Sequence, residues 1–331
     1  MPLWTPERIA TAQWLDADDA ATLTLDGSGN VETWLDKSGN ARHADIPAPV
    51  SGISVQNAAL NGLDVVHFGG TTEALDFPSV GISGADHRLL ICVARPRINQ
   101  QGTSIMMLGG ASVSGGGIAE NGQAWRVRQD SSTANLRIEI QGSGYTSNLE
   151  FLGAGVYAVS LAGGTLADHV LWKNGIGEPA TGAASVETVD SNNSIGGSTS
   201  IGDPGFDGDI AEYVLIKGTI DDGIRQKLEG YLAHKWGLAA SLSAEHPYKN
   251  AAPIIASLFG TITDKDGNPA ERRITVLDAT GHCVATDTSD PVTGAYSIGM
   301  PNDDPYTLVF DGEPDRNAQV FANVISGEPP A

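Results

Sequence analysis

The pattern of apolar and polar positions predicts one helix between residues 221 and 237 and strands almost everywhere else. Apolar residues recur every three or four positions on one face of that helix: Ile224, Leu228, Tyr231, Leu232 and Trp236. Asp221 and Asp222 are suited to cap its first turn, since carboxylates accept hydrogen bonds from the free backbone N–H groups there. Gly237 follows at the position where a left-handed residue commonly ends a helix.

The chain before this helix alternates short β-branched runs with clusters of Gly, Ser, Asn and Asp. Asn174-Gly175, directly after the run His169–Lys173, predicts a tight hairpin because both residues tolerate a positive φ. Many strands without intervening helices favour an antiparallel sandwich over a parallel α/β sheet. One helix that closes such a series indicates a jelly roll.

A change of pattern at Lys249–Pro253 predicts a linker and a second domain. Beyond it, strands of about five residues alternate with regular turns, which is typical of a small immunoglobulin-like sandwich. The expected strands are 256–263, 274–278, 283–287, 295–299 and 307–310. The predicted fold class is therefore all-β, with a jelly-roll sandwich over residues 1–250 and an immunoglobulin-like sandwich over residues 251–331.

The chain is strongly acidic, since 40 Asp and Glu residues oppose 19 Lys and Arg residues for a formal net charge of -21. Such a surface repels phosphate groups, so we expect no nucleic-acid partner and no membrane binding. The N-terminal segment lacks a basic start followed by an apolar run, and no apolar stretch is long enough to span a bilayer. We therefore expect a protein made in the cytoplasm without a signal peptide.

Three segments of the first domain carry a resemblance to a known family. They are the opening WTPERIATAQWLDADDAATLTLDGSGNVETWLDKSGNARHA, the strand GDIAEYVLI and the closing EGYLAHKWGLAASLSAEHPYK. Together they resemble the concanavalin A-like, laminin-G-type jelly rolls of bacteriophage and bacterial surface proteins. The resemblance covers most of residues 1–250.

The second domain resembles a carboxypeptidase-regulatory-like domain, which is an immunoglobulin-like spacer or interaction module and not a peptidase. The matching positions in D-x-x-G-x-P and T-G-x-Y are Asp264, Gly267, Pro269, Thr293, Gly294 and Tyr296. The two domains together resemble phage tail and other virion-surface proteins, which implies a virion location and other virion proteins as partners. By the same analogy we expect a homo-oligomer, a trimer, although no coiled-coil heptad or collagen-like repeat enforces one.

Three acids on one predicted strand, Asp207, Asp209 and Glu212, are the strongest enzymatic signal. Related jelly-roll glycoside hydrolases carry E-x-D-x-x-E on a strand, where paired carboxylates act as nucleophile and general acid. Here an aspartate takes the first position, and its shorter side chain misplaces a nucleophile. The same segment also resembles the last strand of the non-catalytic family, so we expect no catalysis there.

Acidic and amide side chains crowd the N-terminal loops. Asp16, Asp18, Asp36 and Asn40 are candidate ligands for Ca²⁺, which is the one cofactor that the sequence indicates. The competing interpretation is that these residues cap turns through their own side chains.

Sugar binding commonly uses an aromatic ring beside amide side chains. Tyr145 and Asn148 in one polar loop, with Asn192 and Asn193 in another, are the candidate ligand-binding residues. A subunit interface is the other role open to Tyr145.

We therefore predict a non-enzymatic phage virion component, associated with the tail, that recognises a glycan or protein on the host surface. A structural capsid-decoration or tail-ornament protein is one alternative. A glycoside hydrolase that uses Asp207, Asp209 and Glu212 is the other.

Overall fold

The computed structural model describes residues 3–47, 52–70, 73–97, 104–109, 120–197, 205–253, 257–264, 266–300, 305–311 and 319–325. The chain divides into two compact units. The large unit is Thr5–Ala252, and the small unit is Pro253–Ala331 together with Met1–Trp4. Within the described residues, no helix is long and apolar enough to cross a membrane.

The described part of the large unit consists of strands, one α-helix and four short 3-10 helices. The strands are β1 (Gln13–Asp16), β2 (Leu23–Leu25), β3 (Val31–Trp34), β4 (Ala44–Asp45), β5 (Ser54–Leu60), β6 (Leu63–Gly69), β7 (Leu75–Phe77), β8 (Arg88–Pro96), β9 (Ser104–Leu108), β10 (Trp125–Gln129), β11 (Asn135–Ile140), β12 (Ser143–Glu150), β13 (Gly155–Leu161), β14 (His169–Lys173), β15 (Ile176–Pro179), β16 (Asn193–Ile195) and β17 (Asp207–Lys217). The helices are α1 (Asp222–Lys235) and the 3-10 helices Pro6–Arg8, Ala20–Thr22, Leu166–Asp168 and Ala239–Ser241.

These strands form two antiparallel sheets that pack face to face. Sheet 1 has eight strands in the order β15-β14-β13-β8-β17-β6-β5, with β1 paired to β17. Sheet 2 has nine strands in the order β12-β11-β10-β9-β16-β7-β4-β3-β2. Both sheets contribute to one apolar core, which includes Trp34, Phe68, Trp125, Leu136 and Leu215. This sandwich confirms the predicted all-β, jelly-roll-like fold, and each sheet has an inner face toward the core and an outer face.

Local sequence patterns predicted the helix and one hairpin correctly. The carboxylate of Asp221 accepts a hydrogen bond from the backbone N–H of Ile224 at 2.8 Å, and α1 begins at Asp222. Gly237 follows the helix with a φ of +71°. Asn174 and Gly175 adopt φ angles of 51° and 82° and join β14 to β15.

A β-bulge in β17 decides which of its side chains face outward. The pairing with β8 shifts register between Ile210 and Glu212, so Ala211 is an extra residue in this strand. As a result Ile210 and Tyr213 both enter the core. Since side chains alternate along a strand, Asp209 and Glu212 both lie on the outer face of sheet 1.

Glu212 attaches α1 to this outer face. Its carboxylate is fully buried and accepts four hydrogen bonds. Trp14 Nε1 and the Tyr231 hydroxyl donate to Oε1 at 2.8 and 3.0 Å, and Lys235 Nζ and Trp236 Nε1 donate to Oε2, both at 2.8 Å. One carboxylate therefore joins β1, β17 and the C-terminal half of α1.

Further charges surround this carboxylate. Lys235 Nζ also lies 2.6 Å from Asp16, which is paired in turn with Lys37 at 3.0 Å. Burial raises the pKa of Glu212, and the nearby Asp16 raises it further, while Lys235 opposes both effects. The group is held in place by its donors and not by solvent.

The small unit is also built from antiparallel strands. They are β18 (Ser257–Thr261), β19 (Arg273–Leu277), β20 (Cys283–Thr288), β21 (Ala295–Gly299), β22 (Pro305–Phe310) and β23 (Gln319–Ile325). β18 pairs with β21, and the other four form a sheet in the order β20-β19-β22-β23. Their apolar core includes Leu258, Ile274, Val276, Ile298 and Leu308. The structure confirms all five predicted strands of this unit, and β23 lies beyond them.

Replacement of Glu212 with Gln is expected to destabilise the large unit by about 3 kcal/mol or more, because breaking a buried ion pair leaves Lys235 and its neighbours uncompensated. The free energy of unfolding in urea, followed by tryptophan fluorescence, measures this loss. Glu32→Gln, at an exposed position of β3, is the matched control and should stay within about 0.5 kcal/mol of the wild type. Equal stability of the two variants would show that the Glu212 network is dispensable.

Candidate functional site

Asp209 lies on the outer face of sheet 1 and is held by two arginines and a histidine. Arg95 Nε donates to its Oδ2 at 2.6 Å, and Arg97 Nη2 donates to its Oδ1 at 2.9 Å. His67 Nδ1 lies 2.9 Å from the same Oδ1. Only 2% of the Asp209 side chain is exposed. Its carboxylate therefore anchors these side chains.

The three acids of the hydrolase alternative do not form a catalytic set. Asp209 and Glu212 are both buried, and the donors packed on them occupy both oxygens of each carboxylate. Asp207 is half-buried beside Gly70, where an added Cβ would come within 2.8 Å of the Asp207 Cβ. The enclosed carboxylates of Asp209 and Glu212 cannot reach a glycosidic oxygen, so the structure does not support the hydrolase alternative that uses these three acids.

Two of the predicted ligand-binding residues meet at one carboxylate. Tyr145 in β12 donates its hydroxyl to Glu178 Oε1 at 2.6 Å, and the Asn148 backbone N–H donates to Oε2 at 3.0 Å. The hydrogen bond to Glu178 raises the pKa of the Tyr145 hydroxyl. Because β12 and β15 are edge strands of the two sheets, these contacts close one edge of the sandwich.

The other two predicted ligand-binding residues lie elsewhere on sheet 2. Asn193 is buried in β16, where its amide donates to Asp190 at 2.8 Å and its oxygen accepts from the Gly109 backbone at 3.2 Å. Asn192 is exposed in the preceding turn. β16 is four strands away from β12, roughly 19 Å at ~4.8 Å per strand. The four residues therefore do not share one binding surface.

The predicted calcium ligands have separate surroundings. The Asp16 carboxylate is paired with two lysines, and the Asp36 carboxylate accepts hydrogen bonds from three backbone N–H groups at 2.9 to 3.0 Å. Asn40 donates its amide to a backbone oxygen at 2.9 Å, and Asp18 is exposed. Within the ranges described above, no group of three or more His, Cys, Asp or Glu side chains is arranged to hold a metal ion. For Asp36 the geometry is that of a turn cap.

Two further carboxylates lie side by side on the outer face of sheet 2. Asp45 in β4 and Asp76 in β7 are directly opposite each other in the antiparallel pairing of these strands. The adjacent residues Ala44, Leu75 and Phe77 enter the core, so both carboxylates face outward. The Cβ atoms of directly opposed residues are about 4.5–5.5 Å apart.

The two carboxylates have different surroundings. Asp45 is exposed and accepts a hydrogen bond from Thr33 Oγ1 at 2.7 Å. Asp76 is half-buried, and no described residue donates a hydrogen bond to its carboxylate or forms an ion pair with it. Burial alone raises the pKa of Asp76. A carboxylic acid with a raised pKa beside a second, hydrogen-bonded carboxylate can supply a proton while its neighbour acts as nucleophile.

Another acid on this outer face, Glu139, has different surroundings from those of Asp76. Ser194 in β16 is opposite Asp76, and Arg126 in β10 lies two strands beyond β16. Glu139, the next acid on the face, is paired with Arg126 at 3.4 Å and with Arg128 at 2.9 Å. Asp76 thus differs from Glu139 in having no cation to compensate its charge in the described structure.

A repeated local pattern marks the two positions in the sequence. Ala44–Pro47 and Leu75–Pro78 each place one aspartate between apolar residues and end in proline. Alternation of this kind is typical of a strand with one buried face, and proline commonly ends such a strand. The signal for two outward-facing acids is therefore local, whereas the pairing of their strands is a tertiary feature.

No protein-family model matches the sequence, and no curated protein is significantly similar to it. The solved structures that are similar to the chain include the following three. Domain 4 of an extracellular GH43 arabinanase from Geobacillus stearothermophilus, in complex with arabinotriose, has a TM-score of 0.47 and 12% identity over 66% of this chain and 98% of that chain. Trypanosoma rangeli sialidase in complex with sialic acid has a TM-score of 0.45 and 14% identity over 67% of this chain and 33% of that chain. A mutant GH54 α-L-arabinofuranosidase has a TM-score of 0.47 and 12% identity over 92% of this chain and 77% of that chain.

These comparisons contradict the prediction of a non-enzymatic phage virion component. The similar structures are carbohydrate-active enzymes or a domain of one, and none of the three is a phage protein. The expectations of a non-enzymatic chain and of host recognition from a phage tail are therefore wrong. Similarity at this level assigns no substrate or reaction to this chain, and the predicted virion location and trimeric state stay predictions.

Proposed function

We propose that the large unit is a glycoside hydrolase in which Asp76 is the general acid and Asp45 the nucleophile. The observation that carries this proposal is the pair itself. Two carboxylates lie opposite each other on an outer sheet face, and burial raises the pKa of one of them. Glycoside hydrolases require two carboxyl groups in different protonation states on either side of the scissile bond.

The chemistry follows from these two environments. Asp76 in its protonated form donates its proton to the glycosidic oxygen as the bond from that oxygen to the anomeric carbon breaks. The Asp45 carboxylate attacks the anomeric carbon, and a glycosyl ester forms. Asp76, now ionised, takes a proton from water as the water oxygen attacks the same carbon and releases Asp45.

Thr33 supports the nucleophile in this scheme. Its hydroxyl donates to Asp45 Oδ1 at 2.7 Å across the pairing of β3 with β4. The hydrogen bond fixes the orientation of the attacking carboxylate, since one of its oxygens is held and the other is left for the sugar. Thr33 is therefore a positioning residue.

The stability cost of Asp76 is a second support. Burial of a carboxylate without a partner opposes folding, and residues that destabilise a fold are commonly retained where function needs them. Asn at this position would keep the shape of the side chain and remove the charge.

Asp76→Asn is expected to lower kcat by roughly 10²–10⁴-fold, because the general acid is lost. The measurement is the release of 4-nitrophenol from a panel of aryl glycosides that includes the α-L-arabinofuranoside. Asp45→Ala should lose activity to a similar degree, and added azide should restore turnover with a glycosyl azide as product, because azide replaces the missing nucleophile.

Asp18→Asn is the matched control, since Asp18 is an exposed acid of the same unit and should keep the wild-type rate. The proposal fails if the wild-type chain hydrolyses no member of the panel. It also fails if the Asp76 and Asp45 variants are as active as the control.

The raised pKa of Asp76 has a consequence for stability as a function of pH. An acid whose folded pKa lies above its ordinary value of 3.8 binds more protons in the folded chain, so stability falls as pH rises from that value through the raised pKa. Asp76→Asn removes this loss. The variant should melt at a higher temperature than the wild type at about pH 7. The difference should vanish below about pH 4, where Asp76 becomes protonated in both the folded and the unfolded chain.

Thermal unfolding of the wild type, Asp76→Asn and Asp18→Asn across this pH range measures the effect. A lower melting temperature for Asp76→Asn at neutral pH would mean that the ionised carboxylate is stabilised in the fold, which contradicts the raised pKa of Asp76.

A further inference from the structure

Arg95, Arg97 and His67 converge on Asp209 and keep part of each side chain open to solvent. Their exposed side-chain fractions are 30%, 38% and 18%, whereas that of Asp209 is 2%. The carboxylate is thus enclosed, and the cations are accessible. Because one carboxylate holds all three, their positions are fixed relative to one another, and we call them the cationic cluster.

Hydrogen-bond donors remain on the cationic cluster after its internal contacts are counted. Arg95 uses Nε for Asp209 and Nη1 for a backbone oxygen of β5 at 3.0 Å. Arg97 uses Nη2 for Asp209 and for a glutamine of β5 at 3.1 Å. The other guanidinium nitrogens donate to no residue in the described ranges.

The charges of the cluster do not cancel. Within these ion pairs, Asp209 compensates one of the two permanent positive charges of Arg95 and Arg97, and the side chains of Asp207 and Glu73, which lie against Gly70 and Gly69, place two further acids near the cluster. Asp207, the other acid at this end of β17, lies against Gly70 and forms no ion pair with either arginine in the described structure. The net charge of -21 on the whole chain acts weakly here, since charges beyond about 10 Å are screened at 0.1 M salt.

We propose that the cationic cluster binds the oxyanion group of a ligand, a carboxylate or a sulfate. A guanidinium group presents N–H donors in a planar fork that matches such groups, and two of these forks supply donors from two directions. Asp209 holds the cations in place before the ligand arrives, which lowers the entropic cost of binding. The cluster is on the outer face of sheet 1 and the Asp45–Asp76 pair is on that of sheet 2, so this inference does not depend on hydrolysis.

Isothermal titration calorimetry of the full chain tests the proposal with two probes, sodium glucuronate and sodium sulfate. Glucose and sodium chloride at matched ionic strength are the reference titrations. We expect saturable binding of at least one oxyanion and none of glucose. Arg97→Gln should weaken that binding by roughly tenfold or more, because charge-assisted hydrogen bonds are the strong ones. Arg8→Gln, at an exposed arginine of the same unit, should bind as the wild type does.

Binding of both probes would identify a site for oxyanions in general, and binding of glucuronate alone would identify a carboxylate site. In the wild type, the imidazole NMR signals of His67 should shift during the same titration. These signals are assigned to His67 because they are absent from the spectrum of His67→Gln. The proposal is overturned if neither probe binds beyond the chloride reference, or if Arg97→Gln binds as tightly as Arg8→Gln.

Discussion

The buried carboxylate of Glu212 is the interaction on which the architecture of the large unit depends. Strand β1, strand β17 and helix α1 each contribute to its surroundings. A buried charge of this kind stabilises a fold only when every lone pair is satisfied. Trp14, Tyr231, Lys235 and Trp236 satisfy this one. The helix is therefore attached to the sheet in part through a buried polar contact.

The β-bulge at Ala211 makes that attachment geometrically available. Without the extra residue, Asp209 and Glu212 would point to opposite faces of sheet 1, since their separation is odd and strand side chains alternate. One of the two acids would then enter the apolar core. With the bulge both acids lie on the outer face, where one holds α1 and the other holds the cationic cluster. An acidic motif that resembles a catalytic strand thus performs two structural tasks.

Asp76 stands apart from these partnered acids. Glu212 and Asp209 are compensated by cations, whereas Asp76 is half-buried without a partner in the described structure and has a raised pKa. Burial of a charge opposes folding unless a cation or hydrogen bonds offset it. Asp209 and Glu212 therefore anchor neighbouring elements, whereas Asp76 anchors none in the described structure, and we propose reactive chemistry for the Asp45–Asp76 pair.

The sequence by itself determined the local elements, since Asp221 at the start of α1 and the turn Asn174-Gly175 act through backbone preferences within a few residues. It also determined the all-β class, through many short strands without alternating helices. Only the tertiary structure decided the role of each acid. Glu212 became an anchor because distant donors enclose it, and Asp45 became the neighbour of Asp76 because β4 pairs with β7. The proton affinity of a carboxylate depends on its neighbours in space, and strand pairing selects those neighbours.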